Sequence, residues 1–451
     1  MLYKAVLVCR SEIEGMGLAN PRVSRLISRC ALIGFLLVAA ASGGCRLGPW
    51  SLWKAYADRF IDDQGRVIDH NAGDHSTSEG QAYAMFFALA DNDPARFDRV
   101  LAWTQSNLAS GSLATHLPGW LWGKSPAGEW KLLDANPASD ADCWMAYSLV
   151  EAGRLWNNQG YATLGRQMMS LIAKQEVADL PGFGVMLMPG TTSLFVHGAA
   201  WTVNPSYLPL FVFQRFDAID PAGPWGAIAL NIPRLLRASA RQGFAMDWTN
   251  YEQDDGFAPA PAPGSATLPA APSTASPAQS QVPAQGQAQS DQTADPAAQT
   301  TAGTTQAQTA PQPKPPMGSY DAIRVYLWAG MTNPGNGARA ELMAAVPAMG
   351  NYVAKRQVPP EEVNADGAPQ PQPGPVGFSA ALLPYLWAVP DLAPAAAQQR
   401  VRISEQLNPA NGLYGKDPAY YDQNLALFAT GFLDGRFRFG THGELKVEWT
   451  R

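Results

Sequence analysis

Apolar residues in this 451-residue chain mostly recur three or four positions apart, the spacing of helices that bury one face. Trp53, Tyr56 and Phe60 mark a first such segment, closed by the turn residues Asp63-Gln64-Gly65. In 74–91 the polar residues Ser76, Thr77 and Ser78, suited to cap a helix, precede Tyr83, Met85, Phe86, Phe87 and Leu89 as a buried run, and 97–108 completes a pair. The same pattern predicts helices over 138–156 and 161–173, over 208–216 and 222–242, and over 319–328, 338–352, 378–387, 393–407 and 420–433. Strand signals are scarce: 183–187, with Val185, Met186 and Leu187, is expected to form a short hairpin with 193–196. Trp120, Trp122 and Trp130 stand in a Gly/Pro-punctuated stretch expected to be a loop, and Trp201 with Asn204-Pro205-Ser206-Tyr207 is expected to be another. The result is an all-α chain of about a dozen helices in adjacent pairs, a toroid or a solenoid, and the lack of a fixed repeat weighs against the solenoid.

Two stretches interrupt this pattern. Arg22, Arg25 and Arg29 precede the apolar run 31–41, which ends in Ala39-Ala40-Ala41. That is the make-up of a secretory leader, too short to span a membrane, so 1–45 is read as a leader and the product as periplasmic or secreted. Ser42-Gly43-Gly44-Cys45 is a weaker match to a lipid-anchoring site. The second stretch, 258–316, is almost all Ala, Pro, Gln, Ser, Thr and Gly, with no aromatic residue and Lys314 as its one base. Such a segment cannot bury enough apolar surface to offset the entropy of ordering, so disorder is expected. Because a helical pattern resumes at Ser319, it is read as a surface-loop insertion within a single domain, 46–451.

A hydrophobic fraction of 46% and 14 tryptophans are ample for a large core. The net charge of −6, with no long basic run beyond the N-terminus, argues against a phosphate-backbone partner and suits a neutral polymer. Cys9, Cys30 and Cys45 lie in or beside the leader, which leaves Cys143 as a small buried hydrophobe and no disulfide framework. His70, His75, His116, His197 and His442 are scattered without ligand spacing, so neither a metal nor another cofactor is expected.

Three acidic places stand at polar loop-to-helix junctions. Glu79 lies between Ser78 and Gly80 at the head of a strongly apolar helix. Asp140 and Asp142, with Ser139 as expected N-cap, open the 138–156 segment, whose Met145, Leu149, Ala152 and Trp156 should face a core. Asp321 has Arg324 one turn on, positioned to pair with a carboxylate. Each acid alone is also what a helix dipole favours in a first turn.

The full run Ala138-Ser139-Asp140-Ala141-Asp142-Cys143-Trp144-Met145-Ala146-Tyr147-Ser148-Leu149 through Ala152 to Trp156 resembles the signature of glycoside hydrolase family 8. His75-Ser76-Thr77-Ser78-Glu79-Gly80-Gln81-Ala82-Tyr83-Ala84-Met85 is similar to that family's Glu-Gly motif. Ser319-Tyr320-Asp321-Ala322-Ile323-Arg324-Val325-Tyr326-Leu327-Trp328-Ala329-Gly330-Met331 and Gly377-Phe378-Ser379-Ala380-Ala381-Leu382-Leu383-Pro384-Tyr385 resemble in particular the periplasmic endoglucanases associated with bacterial cellulose synthesis. The resemblance implies an (α/α)6 barrel with its cleft at one end of the helices, and inverting hydrolysis of internal β-1,4-glucosidic bonds. It implies Glu79 as general acid, Asp321 as general base and Asp140 as the acid that binds and distorts the sugar at the reacting subsite. Asp142 and Arg324 join the expected substrate-binding set, with Trp122, Trp201 and Tyr207 as flat platforms for sugar faces. The implied partners are a β-1,4-glucan and the cellulose synthase export machinery, and the protein is expected to be a monomer. Chitosan, xylan or mixed-linkage glucan as substrate stays open at this point, as does a catalytically silent glucan-binding scaffold of a secretion complex.

Overall fold

Helices alternate along the chain between those buried all round and those buried on one face. A computed structural model describes residues 48–263 and 315–450, so the leader, with Cys9, Cys30 and Cys45, and 264–314 of the insertion lie outside the described residues. Helix α1 (Ser51–Phe60) is followed by α2 (Ser78–Ala90), in which every residue except Glu79 is buried. Then come α3 (Pro94–Leu108), α4 (Ser139–Leu155), α5 (Gln159–Gln175) and the single turn α6 (Thr192–Phe195). Next are α7 (Leu210–Ile219), α8 (Trp225–Ser239) and α9 (Ala322–Met331). The chain ends with α10 (Ala338–Ala345), α11 (Ala348–Arg356), α12 (Val376–Trp387), α13 (Ala393–Glu405) and α14 (Tyr420–Asp434).

The helices α2, α4, α7, α9, α12 and α14 form an inner ring, and α3, α5, α8, α10 with α11, α13 and α1 pack outside it. A helix apolar on all sides can only be stable inside such a double layer, which is why the inner sequences lack a polar face. Trp144 of α4 sits at the centre, its ring against Phe86 of α2, Phe211 of α7, Trp328 of α9 and Phe428 of α14. Phe428 also meets Tyr83, Phe86 and Phe87, closing the last inner helix onto the first. Close approach elsewhere relies on glycine: a Cβ on Gly330 of α9 would lie 2.3 Å from the backbone nitrogen of Tyr385 in α12. This is the expected (α/α)6 barrel.

Short antiparallel strands lie between the helices and depart from the sequence reading in several places. Trp122 and Trp130 are not on a loop: β1 (Ser76–Thr77), β2 (Leu121–Lys124) and β3 (Trp130–Asp134) form one sheet. Segment β5 (Gly184–Leu187) pairs with β4 (Val177–Leu180) and not with 193–196, most of which is the helical turn α6. The pairs β6 (Val196–His197), β7 (Ala200–Val203), β8 (Trp248–Glu252) and β9 (Gly256–Ala260) make a four-stranded sheet that contains Trp201. The expected helix 338–352 is broken, α10 and α11 meeting at Pro347, which cannot continue the ladder.

Strand β9 takes in 258–260, the first residues of the low-complexity stretch, and β10 (Met317–Gly318) directly follows its end. A deletion should therefore spare β9 and remove 264–314. With no aromatic residue and only Leu268 and Val282 as large apolar side chains, its loss is expected to leave the melting temperature and activity nearly unchanged. An insoluble product, or one melting many degrees lower, would refute that.

Candidate active site

The inner helices α2, α4 and α9 direct their N-terminal ends to one place, and each brings an acid. Thr77 caps α2, its hydroxyl accepting from Gly80 N at 3.1 Å, which fixes Glu79 in the first turn. Gly80 is needed there, because a Cβ would lie 2.1 Å from the Tyr420 hydroxyl of α14. Asp140 stands in the first turn of α4 with its own carboxylate held by Ala141 N at 2.8 Å. Ser139 is not the N-cap: that position is Ala138, and the Ser139 hydroxyl instead donates to the Met188 carbonyl at 2.6 Å. Asp321 is the residue immediately before α9.

Arg324 joins all three acids. Its Nη1 donates to Glu79 Oε2 at 2.6 Å and to Asp140 Oδ2 at 2.8 Å, and its Nη2 donates to Asp321 Oδ1 at 2.6 Å. The Tyr83 and Ser206 hydroxyls, each at 3.1 Å, complete its surroundings, and the Tyr207 ring lies 5.4 Å from the guanidinium carbon. Asn204 spans the base side, its Nδ2 donating to Asp321 Oδ2 at 3.0 Å while its Oδ1 accepts from Ser206 N at 3.0 Å. Arg324 is buried and occupied by carboxylates, so it organises the acids instead of reaching a sugar. Side-chain exposure separates the acids: Glu79 retains 21% and Asp321 28%, whereas Asp140 retains 5%.

One guanidinium cannot neutralise the three carboxylates gathered around it. Burial pushes the Glu79 carboxyl up to about 7, against the opposing pull of Arg324, with Asp140 and Asp321 adding to the rise. Burial also raises Asp140, again opposed by Arg324. A fourth acid missed in the sequence, Asp247, accepts from Ser319 N and Ala322 N, both at 2.7 Å, and so holds the entry to α9. Burial, then the nearby Asp321, pushes Asp247 up to about 7. Its only sequence signal was an acid just before the aromatic Trp248.

Of the expected sugar platforms, Tyr207 alone borders the acid cluster, on a 3-10 turn (Pro205–Tyr207). Trp201 is buried in β7 with its ring 6.0 Å from that of Tyr251. Trp122 stacks on Trp130 at 5.1 Å and is covered by the Arg66 guanidinium at 4.3 Å, which leaves it little free face. Asp142 is completely buried and cannot meet a substrate; its partner is Glu176, which sequence reasoning also missed. Two residues absent from the expected set do extend the site: Trp248 lies 6.0 Å from Tyr207, and Phe195 lies 6.3 Å from Trp248 in near-parallel planes.

Residues 23–267 match Glycosyl hydrolases family 8. An endoglucanase of Xanthomonas axonopodis pv. citri (strain 306) is 41% identical, over 94% of this chain and 97% of its own length. An endoglucanase of Escherichia coli (strain K12) is 38% identical, again over 94% of this chain and 97% of its own. Among solved structures, the endo-1,4-D-glucanase from Vibrio fischeri ES114 superimposes with a TM-score of 0.71 at 30% identity, covering 89% of this chain and all of that one.

Proposed function

We propose, from the premise that this chain belongs to glycosyl hydrolase family 8, that it is an endoglucanase which cleaves internal β-1,4 bonds of cellulose with inversion. The observation that carries the proposal is the pair Glu79 and Asp321, held on different nitrogens of one buried guanidinium, with burial pushing the Glu79 carboxyl up to about 7 so that it can still donate a proton as the pH approaches neutral. An inverting enzyme needs one carboxyl as proton donor and another far enough away, roughly 6.5–9.5 Å, for a water to attack from the opposite side of the ring. Glu79 protonates the leaving oxygen, Asp321 takes a proton from water, and Asp140, clamped by Arg324, binds the sugar in between.

A neutral glucan is favoured over chitosan because the acids at the site are few and mostly covered, leaving little exposed anionic surface to meet glucosamine cations. The leader-like 22–41 supports a periplasmic location, and the resemblance over 319–331 supports a role beside the cellulose synthase export machinery. Purified protein incubated with carboxymethylcellulose should release new reducing ends, and release them faster than from soluble chitosan. Binding of the polymer with no new ends would replace this reading by a non-catalytic scaffold, and faster cleavage of chitosan would replace the substrate.

A further inference from the structure

Behind Asp140 lie two carboxyl groups that the proposed reaction does not use. Asp142 belongs to the first turn of α4, and Glu176 is the residue that ends α5. Both are completely buried, and they are close enough for each to act on the other. None of their four oxygens receives a hydrogen bond from any other group among the described residues. The groups that act on them are Asp140 and, on the same helix, Cys143, and no base is among them. Two neighbouring carboxyl groups buried this completely, with no donor on any of their four oxygens, cannot both ionise, so the pair holds at least one proton.

The pair is joined to the site through the backbone. The Glu176 carbonyl accepts from Met188 N at 2.6 Å, and the Met188 carbonyl in turn accepts the Ser139 hydroxyl at 2.6 Å. Ser139 N donates to the Pro189 carbonyl at 3.0 Å, so the residue before Asp140 is fixed by the segment that Glu176 anchors. We propose that Asp142 and Glu176 are a proton-sharing pair that locks the first turn of α4, and that Glu176 is thereby a positioning residue for Asp140. The catalytic half of this rests on the reading of Asp140 as the sugar-binding acid, whereas the shared proton does not.

Two measurements separate those halves. An acid that keeps its proton when folded, at a pH where it ionises when unfolded, lowers stability as pH rises between its unfolded and folded values. For Glu176 that window runs from 4.5 to about 8, burial being the main cause. Glu176→Gln supplies the hydrogen atom permanently. Denaturant unfolding of Glu176→Gln should therefore show one proton less of linkage than the wild type, about a tenfold difference in the unfolding constant per pH unit. An unchanged slope would overturn the shared proton.

For the positioning role, Glu176→Ala is expected to lower kcat on soluble cellulose on the order of tenfold to a hundredfold with little change in KM. Glu176→Gln should restore most of that loss. A wild-type kcat in Glu176→Ala, with the linkage difference present, would overturn the positioning role and leave the shared proton standing. If Glu176→Ala does not fold, the linkage test on Glu176→Gln still decides the pair. Total inactivity of the wild type would count against the proposed function and not against the pair.

Discussion

Replacing Glu79 with Gln should lower hydrolysis of unactivated β-1,4-glucan by about 10²–10⁴-fold, the scale of a lost general acid. The amide keeps the shape of the side chain and still offers Arg324 an oxygen at the position now 2.6 Å from Nη1, so substrate binding should change little. A glucan derivative with an activated aryl leaving group needs little protonation and should be affected much less. Wild-type activity should decline as pH rises past about 7, because the buried Glu79 then gives up the proton it must donate. That limb should vanish in Glu79→Gln. Stability also falls as pH rises, over a lower window: the folded value lies above the ordinary 4.5, so keeping Glu79 in place costs stability progressively between pH 4.5 and about 7. The variant should melt no lower than the wild type at pH 7.5. Equal losses on both leaving groups, or an alkaline limb that survives, would remove the role of proton donor from Glu79.

The parts of this site written locally in the chain could be read from it, and the parts that depend on closing the ring could not. Glu79, Asp140 and Asp321 each announce themselves as acids at the head of an apolar helix, and Arg324 is visibly one turn after Asp321. That Arg324 also binds Glu79, 245 positions away, and Asp140, 184 away, follows only when six inner helices bring their N-termini together. Asp247 and Glu176 were missed for the same reason: a buried acid without a local motif looks like any solvated one until its neighbours are known. The aromatic platforms misled differently. Trp122 and Trp201 stand among glycines and prolines, which signal loops, yet β1 and β8 pair with them and bury the rings against Arg66 and Tyr251. Loop punctuation says where a chain turns, not which side of a ring stays free. The helical segments fared better because the outer ones carry the one-face spacing, and the inner ones are apolar runs too long for strands, whose rings gather around Trp144.

Asp321→Asn should reduce turnover by about 10²–10⁴-fold as well, and here the leaving group should make no difference, since water must be activated whatever departs. Asn204 would still donate to the remaining oxygen, and Arg324 would keep Glu79 and Asp140, so the cleft should hold its shape and KM should change little. The contrast with Glu79→Gln is therefore in the substrate dependence and not in the size of the loss. Stereochemistry tests the same assignment without any substitution. If Asp321 directs a water to the face opposite the leaving oxygen, the first product from a β-glucan is the α-anomer, visible by proton NMR before mutarotation. Azide should then fail to rescue Asp321→Asn through a product of retained configuration, because no covalent glycosyl intermediate exists to be intercepted. A β-anomer as first product would mean retention. Asp321 would then have to act as a nucleophile, with its carboxyl within about 5–5.5 Å of the acid and no water held between them, and the role of base would be removed from it.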